Sequence, residues 1–165
     1  FNKALRSAFR ENVNVIMVGE MRDYETISTA ITAAETGHLI FGSLHTNSAS
    51  QTVERIIDVF PPNQQSQVRS QLANTMSGII SQRLIPRLKG GLIPAVEVMI
   101  ATPAVRTLIR DNRPRQIDLV IETSQEAGMV SLNRSLVDLV RRKEIALERA
   151  QFYSQSQSEL QELLK

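Results

Sequence analysis

The sequence contains no cysteine. That excludes disulfides, a thiolate zinc site and a thiol nucleophile. Tryptophan is also missing and aromatic residues make up only 4% of the chain, so a core has to be built from Ile, Leu, Val, Ala and Met. No apolar run approaches the ~20 residues that a transmembrane helix needs, and no signal-peptide pattern is visible. Charge of one sign is scarce as well: 19 basic residues against 17 acidic leave a net charge of +2. So small an excess argues against nucleic acid as a partner. None of the seven glycines precedes a lysine, so the phosphate-cradling pattern Gly-x-x-x-x-Gly-Lys-Ser/Thr is absent. The chain opens on Phe1 rather than Met, inside a helical pattern, and reads as a portion of a longer protein.

What is present is ordinary for a globular fold. At 165 residues and 42% apolar content the chain suits one domain with a small appendage. Phe1, Leu5 and Phe9 form one stripe of a short helix. The run Val15-Ile16-Met17-Val18 is apolar throughout and predicts a strand buried on both faces, as in a parallel sheet. It breaks at Gly19-Glu20. Asp23 is placed to cap a helix whose stripe is Ile27, Ala30, Ile31 and Ala34, and Gly37 after Thr36 stops it. Leu39-Ile40-Phe41 gives a second strand. The interval between the strands suits the helical crossover that parallel pairing requires. Glu20 and His45 then emerge at the same carboxyl edge, where open α/β sheets bind ligands.

Further on, helices are predicted over residues 50–60 and 64–83, with Pro61-Pro62 between them. Leu84-Ile85 and residues 92–100 read as strands joined at Lys89-Gly90-Gly91. Four or five short helices follow. The expected division is an α/β body over residues 1–102 and a helical region over 103–165. Taken alone, an acid after a strand is most often a solvated turn residue, and a single histidine at a strand end is most often a satisfied polar group. Composition and spacing stop at an α/β body with a polar site.

Gly19-Glu20-Met21-Arg22-Asp23, followed by Ala33-Ala34-Glu35-Thr36-Gly37-His38 and on to Gly42-Ser43-Leu44-His45-Thr46, resembles two linked motifs of the secretion ATPase family. These are a Walker B strand with Glu in the acidic position and a histidine box. Asp58-Val59-Phe60-Pro61 and Ser81-Gln82-Arg83-Leu84 extend the resemblance. Residues 104–111, Ala-Val-Arg-Thr-Leu-Ile-Arg-Asp, are similar to the signature of the family's PilT-type retraction branch. They depart from it at Val105, Thr107 and Asp111. The Leu/Ile-Arg-x-x-Pro-Asp pattern usual upstream is replaced by residues 9–14, Phe-Arg-Glu-Asn-Val-Asn.

The resemblance implies a partial, mostly parallel RecA-like P-loop NTPase core, followed by the small helical region. It implies hexamers that hydrolyse ATP with Mg²⁺ to retract type IV pili, on the cytoplasmic face of the inner membrane against pilus platform proteins. Glu20 and His45 would be catalytic, with Mg²⁺ reached through Glu20 and a phosphate loop upstream. Arg22, Asp23, Thr26 and His38 would line the nucleotide site, although His38 falls at the far end of its strand and suits a structural role. Arg106, Leu108, Ile109 and Arg110 would form the retraction motif, its two arginines contacting partners. The alternatives are another secretion or pilus-assembly ATPase, or a non-enzymatic interaction module.

Overall fold

The computed structural model describes residues 13–165; the helical stripe from Phe1 to Phe9 lies outside them. The first strand, β1 (Val15–Val18), pairs in parallel with β2 (Leu39–Gly42), from Val15 opposite Leu39 to Val18 opposite Gly42. Between them runs α1 (Tyr24–Glu35). Asp23 begins this helix, since its Oδ1 accepts the Thr26 amide at 2.9 Å and so satisfies a backbone donor of the first turn. Gly37, at φ +95°, turns the chain out of the helix.

The two-faced burial expected of β1 is corrected. Ile16 and Val18 are buried, but Val15 is 55% exposed and Met17 80%. Leu39 and Phe41, opposite them in the register, are exposed too. Among the described residues, only one face of this pair is covered.

Next come α2 (Ala49–Asp58), capped by the Ser48 hydroxyl, and α3 (Pro62–Thr75), with proline in its first turn. The helix expected over residues 64–83 is corrected. It ends at Thr75, and β3 (Gly78–Pro86) follows, antiparallel to β4 (Leu92–Ile100). Leu72, Met76 and Ile80 carry a helical spacing across a boundary that tertiary pairing sets. Gly78 lies opposite Ile100, and a Cβ there would stand 2.7 Å from the Met99 carbonyl oxygen, so the close approach requires glycine. Among the described residues the parallel pair β1–β2 is the part of the α/β sheet present, and β3–β4 forms a separate antiparallel hairpin. The hairpin turn falls where Gly90 and Gly91 both adopt positive φ.

The remainder is helical: α4 (Pro103–Arg110), α5 (Gln116–Thr123), a short 3₁₀ turn (Gln125–Ala127), α6 (Leu132–Arg141), α7 (Leu147–Tyr153) and α8 (Gln157–Leu164). Two large cores and a small cluster of Ile16 and Val18 on β1 hold the described residues together. One joins Ile27, Val53 and Ile57 to Met99, Ile109 and Ile121. The other joins Ile85 and Ala95 of the hairpin to Leu136, Ile145 and Leu160. Each fully buried aliphatic side chain contributes roughly 1.5–3 kcal/mol relative to its exposed state. The hairpin serves both cores, so apolar packing runs across the step from residue 102 to 103. Among the described residues no helix is long and apolar enough to cross a membrane.

Candidate functional site

β1 and β2 end side by side, and the chain leaving each is tied to the other. The Met21 amide donates to the Ser43 carbonyl at 2.9 Å. The Ser43 hydroxyl donates to the Gly19 carbonyl. Gly42 leaves room for Met21, whose side chain would lie 2.6 Å from a Cβ at that position. These ties hold the two strand ends in register beyond the last ladder bond.

Glu20 and His45 meet there. His45 Nε2 is 3.0 Å from Glu20 Oε1, and the Arg22 guanidinium reaches the same oxygen. The Glu20 side chain is 29% exposed, whereas His45 and Arg22 are largely open to solvent. The hydrogen bond from Arg22 holds the Glu20 carboxyl below its ordinary range; desolvation opposes it, and the Arg22 charge and His45 add smaller lowering effects. At neutral pH Glu20 is an anion with one oxygen engaged by two nitrogen groups. Such a carboxylate can accept a proton from water or hold a hydrated cation.

The other residues expected here divide by place. Asp23 and Thr26 form the cap of α1: Asp23 takes the Thr26 hydroxyl at 2.8 Å as well as its amide. Thr26 is buried, and its bonds to Asp23 lower that carboxyl. His38 is not brought to Glu20. It precedes β2, opposite the His45 end, and its Nδ1 lies 3.1 Å from the Ala33 carbonyl and 3.2 Å from the Thr36 hydroxyl.

In α4 the motif residues have separate fates. Ile109 is fully buried, and its side chain belongs to the core. Leu108 packs partly against the same core. The Arg106 guanidinium is spent within the chain, its Nε on the Ala101 carbonyl at 2.9 Å and its Nη1 on the Ala73 and Asn74 carbonyls. It thereby satisfies acceptors left over at the end of α3. Arg110 is exposed.

Three residues beside the His45 loop were not among the expected site residues. Arg83, on β3, and Gln155 both donate to the Asn47 carbonyl, at 3.4 and 3.3 Å. Glu97, 5% exposed, accepts the Ala49 amide at 2.7 Å and so holds the first turn of α2. The signal for Glu97 was available: it is an acid in the inward register of β4, between Ala95 and Met99.

The fold is that of secretion-type ATPases. It superposes on the crystal structure of the pilus retraction motor PilT with bound ADP at a TM-score of 0.86, with 46% identity, covering 98% of this chain and 45% of that one. The chain belongs to the Type II/IV secretion system protein family, whose model matches residues 1–144. It is 49% identical over 150 residues to the type IV pilus retraction ATPase PilT of Pseudomonas aeruginosa, covering 91% of this chain and 44% of that protein. Against a twitching motility protein of Neisseria gonorrhoeae the identity is 50% over 157 residues, covering 94% and 42%. The chain therefore spans less than half the length of the curated relatives it matches.

Proposed function

We propose that this chain supplies the acidic half of the ATP site in a hexameric motor that drives type IV pilus retraction. The observation that carries this reading is the 3.0 Å approach of His45 Nε2 to Glu20 Oε1 at the shared edge of β1 and β2. The names of relatives matched over more than nine-tenths of the chain support the retraction branch.

In this reading Glu20 accepts the proton of the attacking water or orients that water, because its ionised oxygen is already aimed by Arg22 and His45. His45, exposed beside Glu20, faces the phosphate oxygens and steadies the charge that develops there. Arg22 keeps Glu20 ionised and fixed, and Asp23 with Thr26 anchors the turn through the helix cap. Glu20 would hold Mg²⁺ through water, and the ion bound with the nucleotide would supply positive charge against the phosphate oxygens. The phosphate loop itself lies outside this sequence. The motor works on the cytoplasmic face of the inner membrane against pilus platform proteins, and the helical region 103–165 passes on its movement. Arg110, exposed on α4, is the remaining contact residue of the retraction motif.

Glu20→Gln in the full-length protein tests the assignment. ATP turnover is expected to fall about 10²–10⁴-fold, the usual contribution of a positioned proton acceptor, while ATP binding and assembly persist. Wild-type turnover in that variant overturns the catalytic role of Glu20.

A further inference from the structure

The His45 side chain is 81% exposed, and its partner is Glu20 at 3.0 Å. An imidazole this open to solvent is placed by its backbone more than by packing, so its aim depends on how residues 43–48 are fastened. Before it, Ser43 is tied to Gly19 and Met21. After it, Thr46 Oγ1 lies 2.7 Å from Thr52 Oγ1, and the Asn47 amide donates to Gln51 Oε1 at 3.2 Å. Those two ties reach only the first turn of α2. The Asn47 carbonyl is held from much further away. Arg83 Nη2, on β3, donates to it at 3.4 Å and Gln155 Nε2 at 3.3 Å. A carbonyl oxygen has two lone pairs, so it accepts both. The same guanidinium places Nη1 on the carbonyl of Tyr153, the last residue of α7, at 3.3 Å. Its Nε is buried without a partner among the described residues. The fork is therefore turned toward the two carbonyls although that leaves its third donor group unpaired. Tyr153 and Gln155 flank Ser154 in the turn between α7 and α8. One side chain of the hairpin thus fastens the histidine loop to the helical region.

We propose that Arg83 and Gln155 are positioning residues for His45, and that through them the α7–α8 turn is coupled to the ATP site. This role rests on the reading of His45 as the group that faces the phosphate oxygens. A donor of that kind stabilises developing charge only where it is aimed. A displacement of about 1 Å at the reacting atoms, caused from a distance, costs on the order of 10²-fold in rate. Bonds of 3.3 and 3.4 Å are long for N–H to oxygen, so the clasp yields readily. A shift of the α7–α8 turn then slackens the Asn47 carbonyl and with it the reach of His45. Neither Arg83 nor Gln155 has to touch the nucleotide for this.

Steady-state ATP turnover of the full-length protein tests the coupling, with melting midpoints measured beside it. Gln155 is exposed, so substitution there leaves both cores intact. Gln155→Glu keeps the shape but removes the donor. Its kcat should fall about two- to tenfold, the factor attached to one net hydrogen bond, with KM for ATP and the midpoint at wild-type values. Gln155→Lys restores an N–H donor and should recover that loss. Arg83→Met removes the bridge and should lower kcat roughly 10–100-fold. If Arg83→Met melts too early to assay, the two Gln155 variants carry the comparison. In a His45→Ala background Gln155→Glu should lower kcat no further, because the group it positions is gone. Wild-type kcat in Gln155→Glu, a change in KM alone, a loss matched by a fallen midpoint, or an undiminished loss in the His45→Ala background overturns the proposal. The reading of His45 fails separately. Wild-type turnover in His45→Ala alone removes that residue from the chemistry, whereas a slow His45→Ala beside a fast Gln155→Glu removes only the clasp.

Discussion

Glu20 and Glu97 are the same residue type, each on or just beyond a strand, and the fold treats them in opposite ways. Glu20 lies past β1 with Arg22 and His45 on one oxygen, and its carboxyl is lowered. Glu97 points inward from β4 onto the Ala49 amide, and burial raises it. The difference teaches that position relative to a strand says little about an acid. The neighbours that receive it decide whether it is a ready anion or a buried structural acceptor.

The comparison is sharpest when each residue is removed. Glu97→Ala strips the Ala49 amide of its partner inside the protein, and unfolding should become easier by about 1–3 kcal/mol, read from denaturant midpoints. A midpoint equal to wild type would mean that the first turn of α2 does not depend on Glu97. Glu97→Gln keeps an acceptor but removes the titration. Because the folded carboxyl is raised, the protonated form stabilises the fold below the ordinary carboxylate range. That stability is lost as pH rises through the raised value. The wild type should therefore lose stability over that window and Glu97→Gln should lose less, as thermal melts across pH 4–8 would register. Parallel slopes in the two proteins would break the contrast. The smallest effect is expected of Glu20→Gln, whose melting midpoint near neutral pH should match wild type. A lowered carboxyl stabilises only above its ordinary range and loses that contribution as pH falls through the folded value, and at Glu20 solvent screens it. A large drop in the midpoint would move Glu20 from a chemical role to a structural one.

Much of this contrast was legible in residue order, and some of it was not. The unit from β1 to β2 announced itself because a continuous apolar run, an Asp cap and a Gly stop all agree locally. Glu20 and His45 followed, since a parallel crossover leaves both at one edge. The end of α3 did not follow, because the contact that fixes it is between Gly78 and the Met99 backbone across the hairpin. The open face of Val15, Met17, Leu39 and Phe41 was hidden for a related reason: an apolar run reports the wish to be covered, not whether this stretch of chain supplies the cover. Arg106 looked like a surface contact at helical spacing, yet its partners are carbonyls contributed by α3 and by the turn before α4. Glu97, Asp118, Asn133 and Glu159 converge on one cleft from four elements, and no local spacing encodes their convergence.

The clasp on Asn47 bears on the order of folding. Its carbonyl takes a hydrogen bond from Gln155, 108 residues further along the chain. A contact of that separation forms only after a long loop has closed, which is costly until other packing has brought the ends together. On the ribosome the β1–β2 unit emerges before the helices that follow it, and the segment that carries His45 is not fully secured until the residues around 155 have been made and docked. A chain interrupted before that point would hold the strands and the acid, with the histidine loop still unfastened.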